Sequence, residues 1–393
     1  MNRHSLLHII ERLEGFLGKL PETIQRPVLH ELTPLKELFL QQRAPRFVVT
    51  GSNRLPLQAI VASLFAESSP GELRDVLMEL FRWHSMELGA RGTISFLDAR
   101  GADSRTIAKI KEELKEQPAD ILLHLADGIS PAAPNELENV SAFLASAATA
   151  KLRVVGVVWP DTAETRRGFQ NGDGRLTSHE SGRALLQRAL QAQPGIGERL
   201  LQVVEFPSHD GEEKGRSAQQ FMSMLARGMP NEARVEMARI AGDRVVQGEI
   251  AQTLMKSTTA ICAAIGAQPI PLADLPILTA LQLMMVSGIM YISGRERSLR
   301  AATEFVGALG VNVGAGMILR EGTRALLKFF PGWGNVVCGA VAGAGTYAIG
   351  RASIVYFLEG LTLRDARRTY LSSRKRRART EPRAIEQVQD AIR

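Results

Sequence analysis

Along the first twenty residues Leu6, Ile9, Ile10, Leu13, Phe16, Leu17 and Leu20 recur at three- and four-residue steps, which predicts an amphipathic helix. A second helix is predicted over roughly 22–42, bent near Pro27 and Pro34. From Arg46 the pattern changes. Short apolar runs at 46–50 (RFVVT), 92–98 (GTISFLD), 120–126 (DILLHLA), 152–159 (LRVVGVVW) and 200–206 (LLQVVEF) alternate with helix-period stretches near 57–66, 104–116, 136–149, 179–193 and 217–227. Nearly continuous apolar strands separated by helices predict a doubly wound α/β domain, its mostly parallel sheet covered on both faces. After Pro230 the chain reads as helical throughout, first as a long charged helix over about 231–256. Four apolar stretches follow at about 257–268, 275–294, 302–319 and 333–357. The predicted organisation is an N-terminal helical arm (1–44), an α/β domain (45–229), a glycine-rich hydrophobic helical domain (230–363) and a basic tail (364–393).

Two of the apolar stretches reach the length of a membrane span. Leu275–Gly294 carries no charge over twenty positions and Phe329–Gly350 none over twenty-two. Both are interrupted by polar residues or glycines, and the spacings Gly310/Gly314 and Gly339/Gly343 predict close approach of helix backbones. If each spanned once, Arg295, Arg297, Arg300, Arg320, Arg324 and Lys328 would lie outside, against the positive-inside rule. A helical domain that docks on the bilayer, or inserts hairpins conditionally, meets no such conflict. The expected location is the cytoplasmic face of the inner membrane, peripheral or inserted.

Composition narrows the classes. With 45% apolar and 23% charged residues the chain is neither a disordered linker nor a collagen, and two cysteines, Cys262 and Cys338, make no disulfide scaffold. Charges at Arg3, Glu11, Arg12, Glu14 and Lys19 exclude a secretory core within the first twenty residues, so a reducing cytoplasm is expected. The net charge of +7 is concentrated at the end: from Arg351 to Arg393 there are eleven Lys/Arg against five Asp/Glu. The densest cluster, Arg374, Lys375, Arg376, Arg377 and Arg379, suits an anionic membrane surface. Nucleic acid is disfavoured, because the rest of the chain is close to neutral. No histidine stands in a metal-binding spacing, and no serine in a GxSxG elbow.

In a doubly wound sheet the loop after the first strand is where a ligand is expected. Here it runs from Gly51 through Ser52, Asn53, Arg54, Leu55 and Pro56 to Leu57 and Gln58. Against the phosphate-loop pattern GxxxxGK[ST] only the first glycine survives. Pro56 replaces a glycine and has no N–H, Leu57 replaces the lysine, and Gln58 replaces the magnesium-binding hydroxyl. Later come Asp98-Ala-Arg-Gly101, an intact DxxG, and Val158-Trp159-Pro160-Asp161 where NKxD would stand.

Taken in order, these landmarks resemble a GTP-binding domain of the Era/TrmE-like class. The segments 230–234, 270–282, 308–316, 320–328 and 345–350 are similar to the YcjF-like domain of unknown function that follows such a domain in bacterial proteins. The resemblance implies that Asp98 approaches magnesium and that the Gly101 N–H approaches a γ-phosphate. It also implies that Asp161 pairs with guanine, while Trp159 either stacks on the base or packs. No threonine lies between Ala66 and Arg91 to serve as the first switch. With these departures the resemblance implies a membrane-associated pseudo-GTPase without catalytic residues. It would act as a scaffold or regulatory subunit, as a homo-oligomer or with an active GTPase relative. The alternative is a GTP-binding switch or slow GTPase that binds GTP or GDP with magnesium through Gly51, Asp98, Gly101 and Asp161, with Arg54 or Arg100 replacing the lysine charge.

Overall fold

The computed structural model describes residues 22–39, 41–65, 81–127, 134–145, 152–159, 181–207, 212–267, 274–310 and 333–374. The helix expected over 1–20, Asp161 and the tail residues Lys375, Arg376, Arg377 and Arg379 lie outside the described residues. By packing, the chain divides into two units, Arg43–Asp243 and a second formed by Met1–Gln42 with Arg244–Arg393. Helix α1 (Glu22–Phe39) therefore belongs with the C-terminal helices.

The first unit is built on six strands: β1 (Arg46–Gly51), β2 (Trp83–Glu87), β3 (Thr93–Asp98), β4 (Ile121–Ala126), β5 (Arg153–Val158) and β6 (Leu200–Glu205). Their order in the sheet is β2-β3-β1-β4-β5-β6. All neighbours pair in parallel except β2, which runs antiparallel to β3 at one edge. Strand β2 adds to the five expected from the apolar runs. Its sequence, Trp-His-Ser-Met-Glu, buries only Met86, so it has no apolar run to announce it.

Alternation sets the two faces of the sheet. Val48 and Leu97 point toward α3 (Ser104–Glu116), α4 (Pro134–Leu144) and α5 (Gly182–Gln191), packing with Ile110, Phe143 and Leu186. Phe47 and Phe96 point the other way, stacked at 5.3 Å and met edge-on by Phe65 of α2 (Leu57–Phe65). Helices α6 (Glu212–Gly228) and α7 (Asn231–Ala241) complete the unit. The single charged helix expected over 231–256 is instead two: Gly242 adopts φ +63°, ends α7, and accepts the left-handed turn that a side chain would strain. Entry to the sheet is pinned by Asp120, which is buried. Both its oxygens accept from the Arg43 guanidinium at 2.6 and 2.7 Å, and one also accepts from the Arg46 N–H at 2.9 Å.

The second unit packs α8 (Arg244–Gly266) against α1, α9 (Asp274–Ile292) and α11 (Trp333–Phe357); α10 (Leu299–Ala308) packs on α9. The residues from 284 to 290 of α9 are all buried. This stretch of the uncharged run thus lies within a helical bundle, apolar all round because it is covered there. Among the described residues no helix is long and apolar enough to cross a membrane, so the spanning expectation is not met there. The glycines of α11 do what their spacing predicts. A Cβ on Gly339 would lie 2.7 Å from the Ala263 carbonyl oxygen, and one on Gly343 would lie 3.0 Å from the Ala263 Cβ. Gly310 differs, ending its helical segment at φ +78°. Cys262 is fully buried between these helices, and burial pushes its thiol up to about 12. Thr346 beside it donates to the Ala342 carbonyl and accepts from Gln282.

Candidate functional site

From β1 the chain runs first to β2 and β3 on one side, then crosses to β4 on the other. The carboxyl end of β1 is therefore the point where connections diverge, and two loops meet there: 52–56 before α2 and 99–103 before α3. Gly51 turns the chain at φ +95°, and a Cβ there would stand 2.1 Å from the Leu125 carbonyl oxygen. The glycine is required by close approach to β4 rather than by any ligand. The N–H of Ser52 donates to that same carbonyl at 3.0 Å.

Asp98, at the end of β3, is 4% exposed. Its two oxygens accept from Arg100: Nε at 2.9 Å on one and Nη2 at 2.8 Å on the other, with the Arg100 N–H at 3.1 Å. The remaining Nη1 reaches across to the first loop, donating to the carbonyls of Leu55 at 2.7 Å and Ser52 at 3.3 Å. One guanidinium thus ties Asp98 to the loop after β1. Two carbonyls of that loop face a cation, whereas a phosphate cradle needs N–H groups facing an anion.

The remaining loop positions agree with this polarity. Pro56 is exposed and its carbonyl accepts the Ile60 N–H, opening α2. Leu57 is buried in the apolar underside of α2, and Arg54 projects into solvent. Gly101 adopts φ +69° and lies beside Asn53. Asp103 caps α3, and hydrogen bonds from Thr106 hold its carboxyl below the usual range. The residues present do not fit a magnesium-bound triphosphate. The metal-side carboxylate is engaged through both oxygens, and the buried Leu57 stands at the lysine's position.

Trp159 packs rather than opening to a base: it is buried, its ring 5.3 Å from Phe206, and its backbone N–H donates to the Ala126 carbonyl. Gly51, Asp98 and Gly101 are gathered at the carboxyl ends of β1 and β3, with Trp159 beyond the end of β5. Behind the loops His124 is completely buried, with Nδ1 3.1 Å from the Thr50 hydroxyl, and burial lowers its pKa to about 4. Among the described residues no group of three or more His, Cys, Asp or Glu is placed to hold a metal ion. Sequence reasoning weighed Arg100 only as a substitute for the lysine and missed its role. The available signal was a basic residue two positions after a strand-end aspartate.

No family model matches the chain. Among curated proteins it is similar to Magnetosome membrane protein 22 of Magnetospirillum gryphiswaldense, 28% identical over 166 residues, covering 37% of this chain and 84% of that protein.

Proposed function

We propose that the chain is a membrane-associated pseudo-GTPase, a scaffold or regulatory subunit whose nucleotide site has been closed by its own arginine. The observation that carries this reading is the Arg100 bridge, which occupies Asp98 and turns two loop carbonyls toward a cation. Six strands, five of them parallel, agree with the GTPase-like class that the sequence resembles. The similarity to a magnetosome membrane protein supports a membrane location. With no spanning helix among the described residues, contact at the cytoplasmic face of a membrane is the reading we favour. The alternative, a GTP switch, needs a free cation at the loop. Arg100 is engaged with Asp98 and the loop carbonyls, which disfavours it as that cation, and Arg54 is exposed to solvent. An active GTPase relative or a second copy of the chain remains the proposed partner.

The test is titration of fluorescent GDP and GTP into the purified full chain, with magnesium and then with chelator. No saturable binding up to high micromolar nucleotide is expected. Magnesium-dependent binding that Asp98→Ala abolishes would overturn the proposal in favour of the switch.

A further inference from the structure

Large apolar side chains exposed to solvent are few in the described residues: Leu29, Leu185, Leu201, Val245, Val341, Leu361, Leu363 and Leu371. Three of these eight fall within eleven consecutive positions, 361–371. A helix, α12, begins at 363 and is described to 374. It opens with a reciprocal cap: the Thr362 hydroxyl and Asp365 carboxylate bond each other at 2.6 Å, and the Asp365 N–H donates to the Thr362 hydroxyl at 3.3 Å. The segment is therefore a built element with a defined start, and its faces can be read by helical spacing.

One face is internal, with Ala366 and Tyr370 buried. At about 100° per residue Arg368 lies opposite these two, Arg364 and Leu371 lie about 40–60° round from it, and Arg367 and Arg374 lie beyond Leu371. All five are exposed, Leu371 by 53%. The acidic groups of 359–374 are Glu359, ahead of the helix, and Asp365, which is held in the cap and lies 3.8 Å from Arg368. A leucine ringed by four arginines, without a carboxylate at its centre, has the composition of an interfacial membrane contact. Leucine enters the headgroup boundary while the guanidinium groups meet lipid phosphates. The sequence continues at once with Lys375, Arg376, Arg377 and Arg379, adding charge of the same sign.

We infer that the exposed face of α12, with Leu371 at its centre and Arg364, Arg367, Arg368 and Arg374 around it, is the surface by which this chain docks on an anionic bilayer. The inference rests on the membrane association proposed above and names where it occurs. Charge complementarity selects the occupant. The exposed leucine distinguishes it from a purely electrostatic partner such as a nucleic-acid backbone, which gains nothing from an apolar centre.

The experiment is flotation of the full chain with phosphatidylcholine vesicles and with vesicles carrying phosphatidylglycerol. The native chain should float with the anionic vesicles, weakly or not with neutral ones, and less as salt rises. Arg364→Gln and Arg368→Gln should each weaken partitioning roughly fivefold. Leu371→Glu should weaken it at least about tenfold. All three sites are exposed, so the circular dichroism spectrum and melting temperature serve as controls for folding. Native flotation undiminished by any of these variants would leave membrane association standing and overturn this face as its locus. Absence of native flotation would overturn both. Tighter binding to a DNA duplex than to anionic vesicles at the same salt would replace the bilayer as the partner. Nucleotide titration reports on the Arg100 bridge alone, so failure there is distinguishable from failure here.

Discussion

Replacing Arg100 with alanine tests the central feature of the candidate site. The side chains of Asp98 and Arg100 are 5% and 10% exposed, so the pair is almost fully withdrawn from water. Removing the guanidinium leaves a buried carboxylate with the Arg100 backbone N–H as its remaining donor among those described above, and it strands the Leu55 carbonyl. Breaking a buried pair by deleting one partner costs about 3–5 kcal/mol. With a urea dependence of about 2 kcal/mol per molar, the midpoint should fall by roughly 2 M. Tryptophan fluorescence is a suitable probe, since Trp83 and Trp159 both lie in the α/β unit. Adding Asp98→Asn to Arg100→Ala removes the stranded charge, and the double variant should recover at least half of the loss. A cost below about 1 kcal/mol for Arg100→Ala, or purely additive effects of the two changes, would refute the bridge as described.

Two further predictions concern the folded core. His124 is neutral in the folded state down to about pH 4 but titrates near 6.5 when unfolded, so the unfolded chain binds more protons between those values. Stability contributed by the neutral buried imidazole is present above about pH 6.5 and is lost as pH falls toward 4, by about 3 kcal/mol in total. Urea midpoints measured across this range should show that slope, and His124→Gln should flatten it; an unchanged slope in the variant would assign the effect to other groups. In α11, Gly339→Ala should destabilise by about 1–3 kcal/mol, because its Cβ meets the Ala263 carbonyl and Ala267 Cβ within 2.8 Å. Gly345→Ala meets nothing within 4 Å and should stabilise by about 0.5–1 kcal/mol, so thermal melts of the two should shift in opposite directions.

How much of this was legible depends on whether burial leaves a local signature. Strands β1, β3, β4 and β5 are central and buried on both faces, and their apolar runs mark them within a residue or two. Strand β2 is an edge strand that buries one residue of five, and hydrogen bonding to β3 decides its conformation. The break at Gly242 hides within a continuous apolar periodicity, since a single left-handed residue does not alter the pattern around it. The uncharged run 275–294 illustrates a different limit: lipid and protein interior impose the same composition, and only the neighbouring helices show which applies. At the candidate site, substitutions at Pro56, Leu57 and Gln58 reveal the lost phosphate contacts. What replaced them depends on a side chain crossing between loops 45 residues apart, and no linear pattern encodes that reach.

The covered position of α9 also has a consequence for how the chain is made. One of its covering helices, α11, ends some 65 residues further on. At roughly 5–20 residues per second, synthesis of that stretch takes about 3–13 seconds. Throughout that interval an apolar helix, uncharged after Asp274, has left the ribosome without its partner, presenting to the cell the same surface as a nascent membrane segment. Its fate is set by a race between completion of the bundle and capture by chaperones, targeting factors or a bilayer, so slower elongation over 293–357 should lower the yield of folded protein.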